Sequence, residues 1–232
     1  MSAGGPTPGR RPGRLSIRDL AGAYRGADRF HVAVRLRTCP FAAIDALLPM
    51  EGAIVDVACG HGHLALLLAS GAPGRRVTGV DIDTRKVGLA RQAAADLGLG
   101  SPRTRFEVVA DGWRPEGPVE AVTIVDALYL FPPADRTAVL RAAAASLAPG
   151  GLLLVKEMDM ARRAKAAVAR AGEQVMTRMA HVTASVAGDL EFTPPDEIAA
   201  TMAAAGLVAE VQRWDRGYPV PHVAVVGRRP RA

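Results

Sequence analysis

An α/β fold, built on a doubly wound and mostly parallel seven-stranded sheet whose last strand runs antiparallel, is what the sequence predicts. Three observations carry that expectation. From residue 53 onward, short apolar runs alternate with helical stretches. No hairpin signal separates the first five runs, so right-handed crossovers join parallel strands. The last two runs stand too close together for a crossover helix, which reverses the final strand.

The elements follow in order. SIRDLAGAYRGADRFHVAVRLRTCPFAAIDALLP, within residues 15–50, reads as two helical pieces interrupted near Cys39-Pro40. AIVDVA is a strand that ends in a glycine turn, and HLALLLASG is a helix closed by Gly71. RVTGVDID is the second strand, TRKVGLARQAAADLG a helix, and RFEVVAD the third strand. AVTIVDALYL supplies the fourth strand, and PADRTAVLRAAAASLAPGG a helix ended by Pro-Gly-Gly. LLLVKEMD is the fifth strand, and residues 161–192 form a mostly helical insertion. TPPDEIAATMAAAG is a helix opened by Thr193 and its prolines and closed by Gly206. LVAEVQRWDRGYPVPHVAVVGRR then reads as two strands and a short loop.

A length of 232 residues suits one domain, expected over 15–232, preceded by a disordered basic arm over 1–14. The net charge of +6 gathers partly in that arm, at Arg10, Arg11 and Arg14, and partly in the tail, at Arg228, Arg229 and Arg231. Such tails are most simply solvated. Cys39 and Cys59 make no disulfide framework. No apolar run approaches the ~20 residues that span a bilayer, and the opening residues lack the apolar stretch of a secretory signal. The expected location is therefore the cytoplasm.

DVACGHGHLA, residues 56–65, places Cys59, His61 and His63 at alternate positions and raises the question of a metal. A structural zinc wants four converging ligands, whereas consecutive turn residues splay their side chains. No second Cys/His cluster stands elsewhere, so no metal is expected. The backbone explains more: Asp56 ends the strand, and Gly60 and Gly62 let the chain turn sharply against a ligand. The helix starting near His63 aims its N–H groups at a carboxylate or phosphate placed there. His61 is left as a residue that could line the ligand.

The spacing Asp56-x-Ala58-x-Gly60-x-Gly62 resembles the first motif of the class I S-adenosylmethionine-dependent methyltransferases, D/E-x-G-x-G-x-G, with alanine at the first glycine. A dinucleotide loop would instead read G-x-G-x-x-G. The neighbouring elements match the same family in order over about residues 50–160. The resemblance implies a Rossmann-like methyltransferase fold that binds S-adenosylmethionine, with Asp56 at its cationic amino group. It also implies that Asp81 takes the ribose hydroxyls and that Ile82 lies against the adenine. Asp111, with Gly112 and Trp113 beside it, would meet the adenine amine, and Asp126 would stand near the methionine end.

Methyl transfer from a sulfonium is an in-line displacement, and an oxygen acceptor must also lose its proton. Ligands in open α/β sheets sit beyond the carboxyl ends of the strands. That rule selects His222 and Glu157 as candidate bases and Tyr218 as a pocket-shaping hydrogen-bond donor. Glu157 could equally bind a helix N-terminus, and His222 could simply open the last strand. Asp126-Ala-Leu-Tyr129 differs from the [D/N]-P-P-[F/Y/W] motif of enzymes that methylate base amines, which argues against nucleic acid. The Arg-rich arm keeps an RNA methyltransferase as a minority reading. The insertion suits an amphipathic lid over an apolar acceptor, with peripheral membrane contact left open. The expected reaction is O-methylation of a small or lipid-like metabolite. A carbon or nitrogen acceptor, or a non-catalytic cofactor-binding member, is the alternative.

Overall fold

The computed structural model describes residues 14–159 without 111 and 116, and residues 191–231 without 219. The strands are β1 (Glu51–Val57), β2 (Gly74–Asp81), β3 (Thr104–Val108), β4 (Val119–Val125), β5 (Leu147–Met158), β6 (Val208–Arg213) and β7 (His222–Arg228). They form one sheet in the order β3-β2-β1-β4-β5-β7-β6. Neighbours are parallel from β3 through β5, and β7 runs antiparallel to both β5 and β6. The expected architecture, reversed last strand included, is therefore present. The order turns back at β1, between β2 and β4, and such a switch point opens a crevice at the carboxyl ends of the strands.

The helices among the described residues are α1 (Ile17–Gly22), α2 (Gly26–Thr38), α3 (Phe41–Leu47), α4 (His63–Gly71), α5 (Thr84–Asp96), α6 (Pro133–Ala145) and α7 (Pro195–Ala204). None is long and apolar enough to cross a membrane. Side chains alternate along a strand, so β5 sends Leu152 and Leu154 to one face and Leu153 and Val155 to the other. The first pair packs with α1 through α5, the second with α6 and α7. That alternation carries Lys156 to the α2 face and Glu157 to the α6 face.

Several boundaries differ from the sequence expectation. The N-terminal region breaks twice, not once. Cys39 is extended before Pro40, as a residue preceding proline prefers, but the chain also leaves the helix at Arg25 (φ −124°, ψ 159°). The earlier break turns Tyr24 inward, where it is buried. The Leu147–Gly151 stretch belongs to β5 rather than to the helix before it, because the Ser146 carbonyl accepts the Val119 N–H at 2.9 Å and Leu147 pairs with Val119. β4 stops at Val125 because Asp126 takes a left-handed backbone, φ 51°. A 3₁₀ turn follows at Leu128–Leu130. α7 starts at Pro195 after Pro194, and the Thr193 hydroxyl accepts from Arg136 Nη1 (3.2 Å) instead of capping the helix. The arm over 1–14, apart from Arg14, and the insertion over 161–192, apart from Glu191 and Phe192, lie outside the described residues.

Candidate functional site

The glycine loop leaves β1 through three left-handed residues, Ala58 (φ 55°), Gly60 (φ 54°) and Gly62 (φ 72°). For alanine that backbone costs roughly 1–2 kcal/mol, so the surroundings must impose it. They do so from β2. The Cys59 N–H donates to the Val80 carbonyl (3.0 Å), and the Gly60 N–H to Asp81 Oδ2 (2.7 Å). Asp81 Oδ1 accepts from the Asp83 N–H at 2.9 Å. The two glycines serve different ends. A methyl group at Gly62 would lie 2.5 Å from the Phe106 ring and 2.7 Å from Ala90, whereas one at Gly60 would meet no protein atom within 4 Å. Gly60 thus faces an open cradle beside Asp81.

Asp56 is buried, and its Oδ1 accepts the Thr123 hydroxyl at 2.7 Å. Burial pushes its carboxyl up to about 7, with Thr123 opposing and the Asp81 charge adding to the rise. Ile82 stands 63% exposed at the rim of the cradle. Asp111 lies outside the described residues, Gly112 is exposed, and Trp113 packs half-buried against the α6-side core.

Cys59, His61 and His63 do not converge. Cys59 is buried toward β2, where a Cβ on Gly79 would meet its Sγ at 2.9 Å. His61 Nε2 reaches Asp28 at 2.9 Å, and the His63 ring packs edge-on against Phe41, 5.4 Å between centroids. Burial lowers the pKa of both histidines, Asp28 opposing at His61. Among the described residues no group of three His, Cys, Asp or Glu is placed to hold a metal ion.

Sequence reasoning placed helices before the first strand but missed the residues by which α2 spans the crevice. Tyr24, just before it, donates its hydroxyl to the His61 carbonyl at 2.5 Å. Asp28 binds His61 and Arg85 (2.6 and 3.2 Å), so it ties the glycine loop to α5. His31 lies 5.0 Å from the His61 ring, and burial pushes its pKa to about 4. Arg35 Nη2 pairs with Asp126 Oδ2 at 2.7 Å, and the Thr38 carbonyl faces His222 Nε2 at 2.6 Å. The signal was available: Asp28, His31, Arg35 and Thr38 recur at helical spacing as a polar stripe on a helix that needs no such stripe for solubility.

Beyond β4 and β5 the charges are concentrated. Asp126 is nearly buried, with Lys156 Nζ at 2.6 Å from Oδ1 and Arg35 on Oδ2. Against the effect of burial, those two cations hold its carboxyl well below the usual range. Glu157 stands on the opposite sheet face, where its Oε1 accepts the N–H groups of Ala127 (3.2 Å) and Leu128 (2.8 Å). Its Oε2 is buried without a partner among the described residues. Burial, and then the Asp126 charge, push Glu157 up to about 8.

His222 opens β7 opposite Met158. A carbonyl only accepts, so Nε2 carries the proton and Nδ1 presents its lone pair, buried and without a partner among the described residues. Burial, with Lys156 adding, pushes the His222 pKa to about 4. The Tyr218 ring meets it edge-on at 5.1 Å. The structure thus brings His222 and Tyr218 toward Arg35, Asp126 and Lys156. Asp56, Asp81, Gly60 and Ile82 gather on the β2 side of the crevice, and Glu157 lies beneath the 3₁₀ turn.

Comparison with known proteins gives a consistent set of relatives. The family described as methyltransferase domain matches residues 54–151. A ubiquinone biosynthesis O-methyltransferase of Methylobacterium sp. (strain 4-46) is 31% identical over 201 residues, which cover 82% of this chain and 76% of that protein. The protein of the same name from Caulobacter sp. (strain K31) is 31% identical over 159 residues, 67% of this chain and 59% of its own length. The structure of an O-methyltransferase family protein from Burkholderia thailandensis superposes with a TM-score of 0.65 at 24% identity, covering 89% of this chain and 60% of that one. The chain therefore spans about three fifths of the Caulobacter and Burkholderia proteins.

Proposed function

Because the chain belongs to the class I S-adenosylmethionine-dependent methyltransferase family, we propose that it moves the methyl group of S-adenosylmethionine to a hydroxyl of a small, partly apolar metabolite. The observation that carries this reading is the glycine loop, pinned by Asp81 on the Gly60 N–H and leaving open space at Gly60 where a ligand can approach the backbone. The donor set fits the same ligand: two carboxylates suit a cation, and an exposed Ile82 suits an adenine face. Bound there, S-adenosylmethionine supplies an electrophilic methyl group on a positively charged sulfur.

The chain's own residues do the remainder. Asp81 has a free lone pair on each oxygen for the ribose hydroxyls, while its backbone partners hold it in place. Ala58, Gly60 and Gly62 let the backbone approach the methionine end, with Asp56 offering negative charge to its amino group. By the family resemblance, Asp111, Gly112 and Trp113 would stand at the adenine. Asp126, with both oxygens engaged, stands near the methionine end and holds Lys156 and Arg35 in place. On the acceptor side, His222 Nδ1 accepts a hydrogen bond from the acceptor hydroxyl and Tyr218 orients the acceptor, while Glu157 fixes the turn after β4 that carries Tyr129. α2 roofs the crevice and keeps water from the line of displacement.

The test is calorimetric titration of S-adenosylmethionine into the wild type and Asp81→Ala. The variant loses charge-assisted hydrogen bonding worth ~1.5–3 kcal/mol in all, so the dissociation constant should rise about 10- to 100-fold. A folded wild type that binds no S-adenosylmethionine would overturn the reading.

A further inference from the structure

The two sides of the crevice carry opposite charge. Toward β2 stand Asp56 and Asp81, which suit a cation. Toward β4 and β5, two cations converge on a single carboxylate: Arg35 at 2.7 Å and Lys156 at 2.6 Å from Asp126. Among the described residues, Asp126 is the only carboxylate ion-paired with either cation. Lys156 is fully buried, so the surplus positive charge is set in a poorly solvated place.

Glu157, Cys39 and the nearby histidines do not cancel that surplus. Glu157 points to the other sheet face and binds the Ala127 and Leu128 N–H groups. His222 is tied by Nε2 to the Thr38 carbonyl and stays neutral, as do His31 and His63 in their buried settings. Cys39 Sγ contributes only a weak contact to Asp126 at 3.9 Å.

Arg35 is also the outermost member of the cluster. Its side chain is 24% exposed, and its pairing with Asp126 engages Nη2 alone. Nε and Nη1 have no protein partner among the described residues, and the guanidinium sits 5.9 Å from the centre of the Phe41 ring. An arginine so placed offers a planar fork that matches a carboxylate. Tyr218 on His222, and Tyr129 stacked on Phe192 at 4.6 Å, add aromatic surface around it.

Resting on the methyltransferase reading, we propose that this surplus selects the acceptor: the molecule methylated is an aromatic hydroxy acid whose carboxylate docks on the free edge of Arg35. The carboxylate is the handle, and the hydroxyl is the group that receives the methyl.

The experiment uses the full chain saturated with S-adenosylhomocysteine. Hydroxybenzoates and hydroxynaphthoates, each beside its neutral carboxamide, are titrated into the wild type, Arg35→Lys and Arg35→Met. The wild type should bind acids at least about tenfold more tightly than the matched amides. Arg35→Met should bring the two within about twofold, and Arg35→Lys, which keeps the ion pair should the methionine variant misfold, should lie between. Amides binding as well as acids, or no acid binding at all, would overturn the proposal. So would an Arg35 variant that loses S-adenosylhomocysteine affinity instead of acid preference, since Arg35 would then belong to the cofactor's own carboxylate. If the wild type binds no S-adenosylhomocysteine, the methyltransferase reading falls and this proposal with it. Cofactor binding without acid preference removes the proposal alone.

Discussion

At the scale of single residues, Gly60 and Gly62 share a left-handed backbone for unlike reasons, and alanine separates them. At Gly62 the added methyl runs into Phe106 and Ala90, both buried, so Gly62→Ala should lose ~10 °C or more of Tm or fail to fold. At Gly60 only the backbone cost applies, about 1–2 kcal/mol, so Gly60→Ala should stay folded. Its methyl occupies the cradle, and S-adenosylmethionine affinity should fall about tenfold or more, by calorimetry. The motif around these glycines was legible because it is local: residue type and spacing over seven positions describe a turn. Arg35 was not legible. The polar stripe of α2 marks the face Arg35 stands on, but its role depends on meeting Asp126 and Lys156, and helical spacing does not name the strand ends that face will meet. His222 and Glu157 fall between these cases. Strand order named them as residues at the mouth of the crevice, but only the coordinates show that alternation along β5 puts Glu157 on the far side.

At the scale of elements, α2 is held to the sheet edge at both ends, by Tyr24 and Asp28 on the glycine loop and by Arg35 and Thr38 beyond β4. Tyr24 is buried, and its hydroxyl proton has one acceptor, the His61 carbonyl. Tyr24→Phe leaves that carbonyl short of a donor, so stability should fall by about 1–2 kcal/mol. For a chain of this size that is a Tm lower by ~2–8 °C in a thermal scan. Alternation of strands and helices was readable because hydrophobic period changes sharply between them. The second break near Tyr24 was hidden, since Gly22-Ala-Tyr-Arg-Gly26 reads as continuous helix until Tyr24 has a partner to reach. The early start of β5 was masked in the same way. Leu147–Gly151 looks like a terminator, and only its pairing with Val119 makes it strand.

At the scale of the whole molecule, buried ionisable groups set how stability follows pH. His31 and His222, pushed to about 4, together with the lowered His61 and His63, contribute stability that is present above about pH 6.5 and lost as pH falls toward 4. Glu157 at about 8 and Asp56 at about 7 act in the opposite sense. Their contribution is complete below the ordinary carboxyl range and is lost as pH rises through those values. Below about pH 6.5 the four histidines outnumber the two carboxyls, and above it the carboxyls titrate first, with the raised Cys39 and Cys59 thiols adding in the same sense at higher pH. Tm should therefore peak at about pH 6.5, and Glu157→Gln should flatten the alkaline decline, as read by calorimetry across pH. The hydrogen bond between Thr38 and His222 closes across 184 residues of chain, so it also orders events in time. During synthesis α2 emerges before any strand and must wait for the last one. A nascent chain that has reached β3 already has the glycine loop and its anchor on β2, yet half of the roof has nothing to rest on. The second wall begins with β4, which brings Asp126 to Arg35, and it is complete only when β7 brings His222 to Thr38.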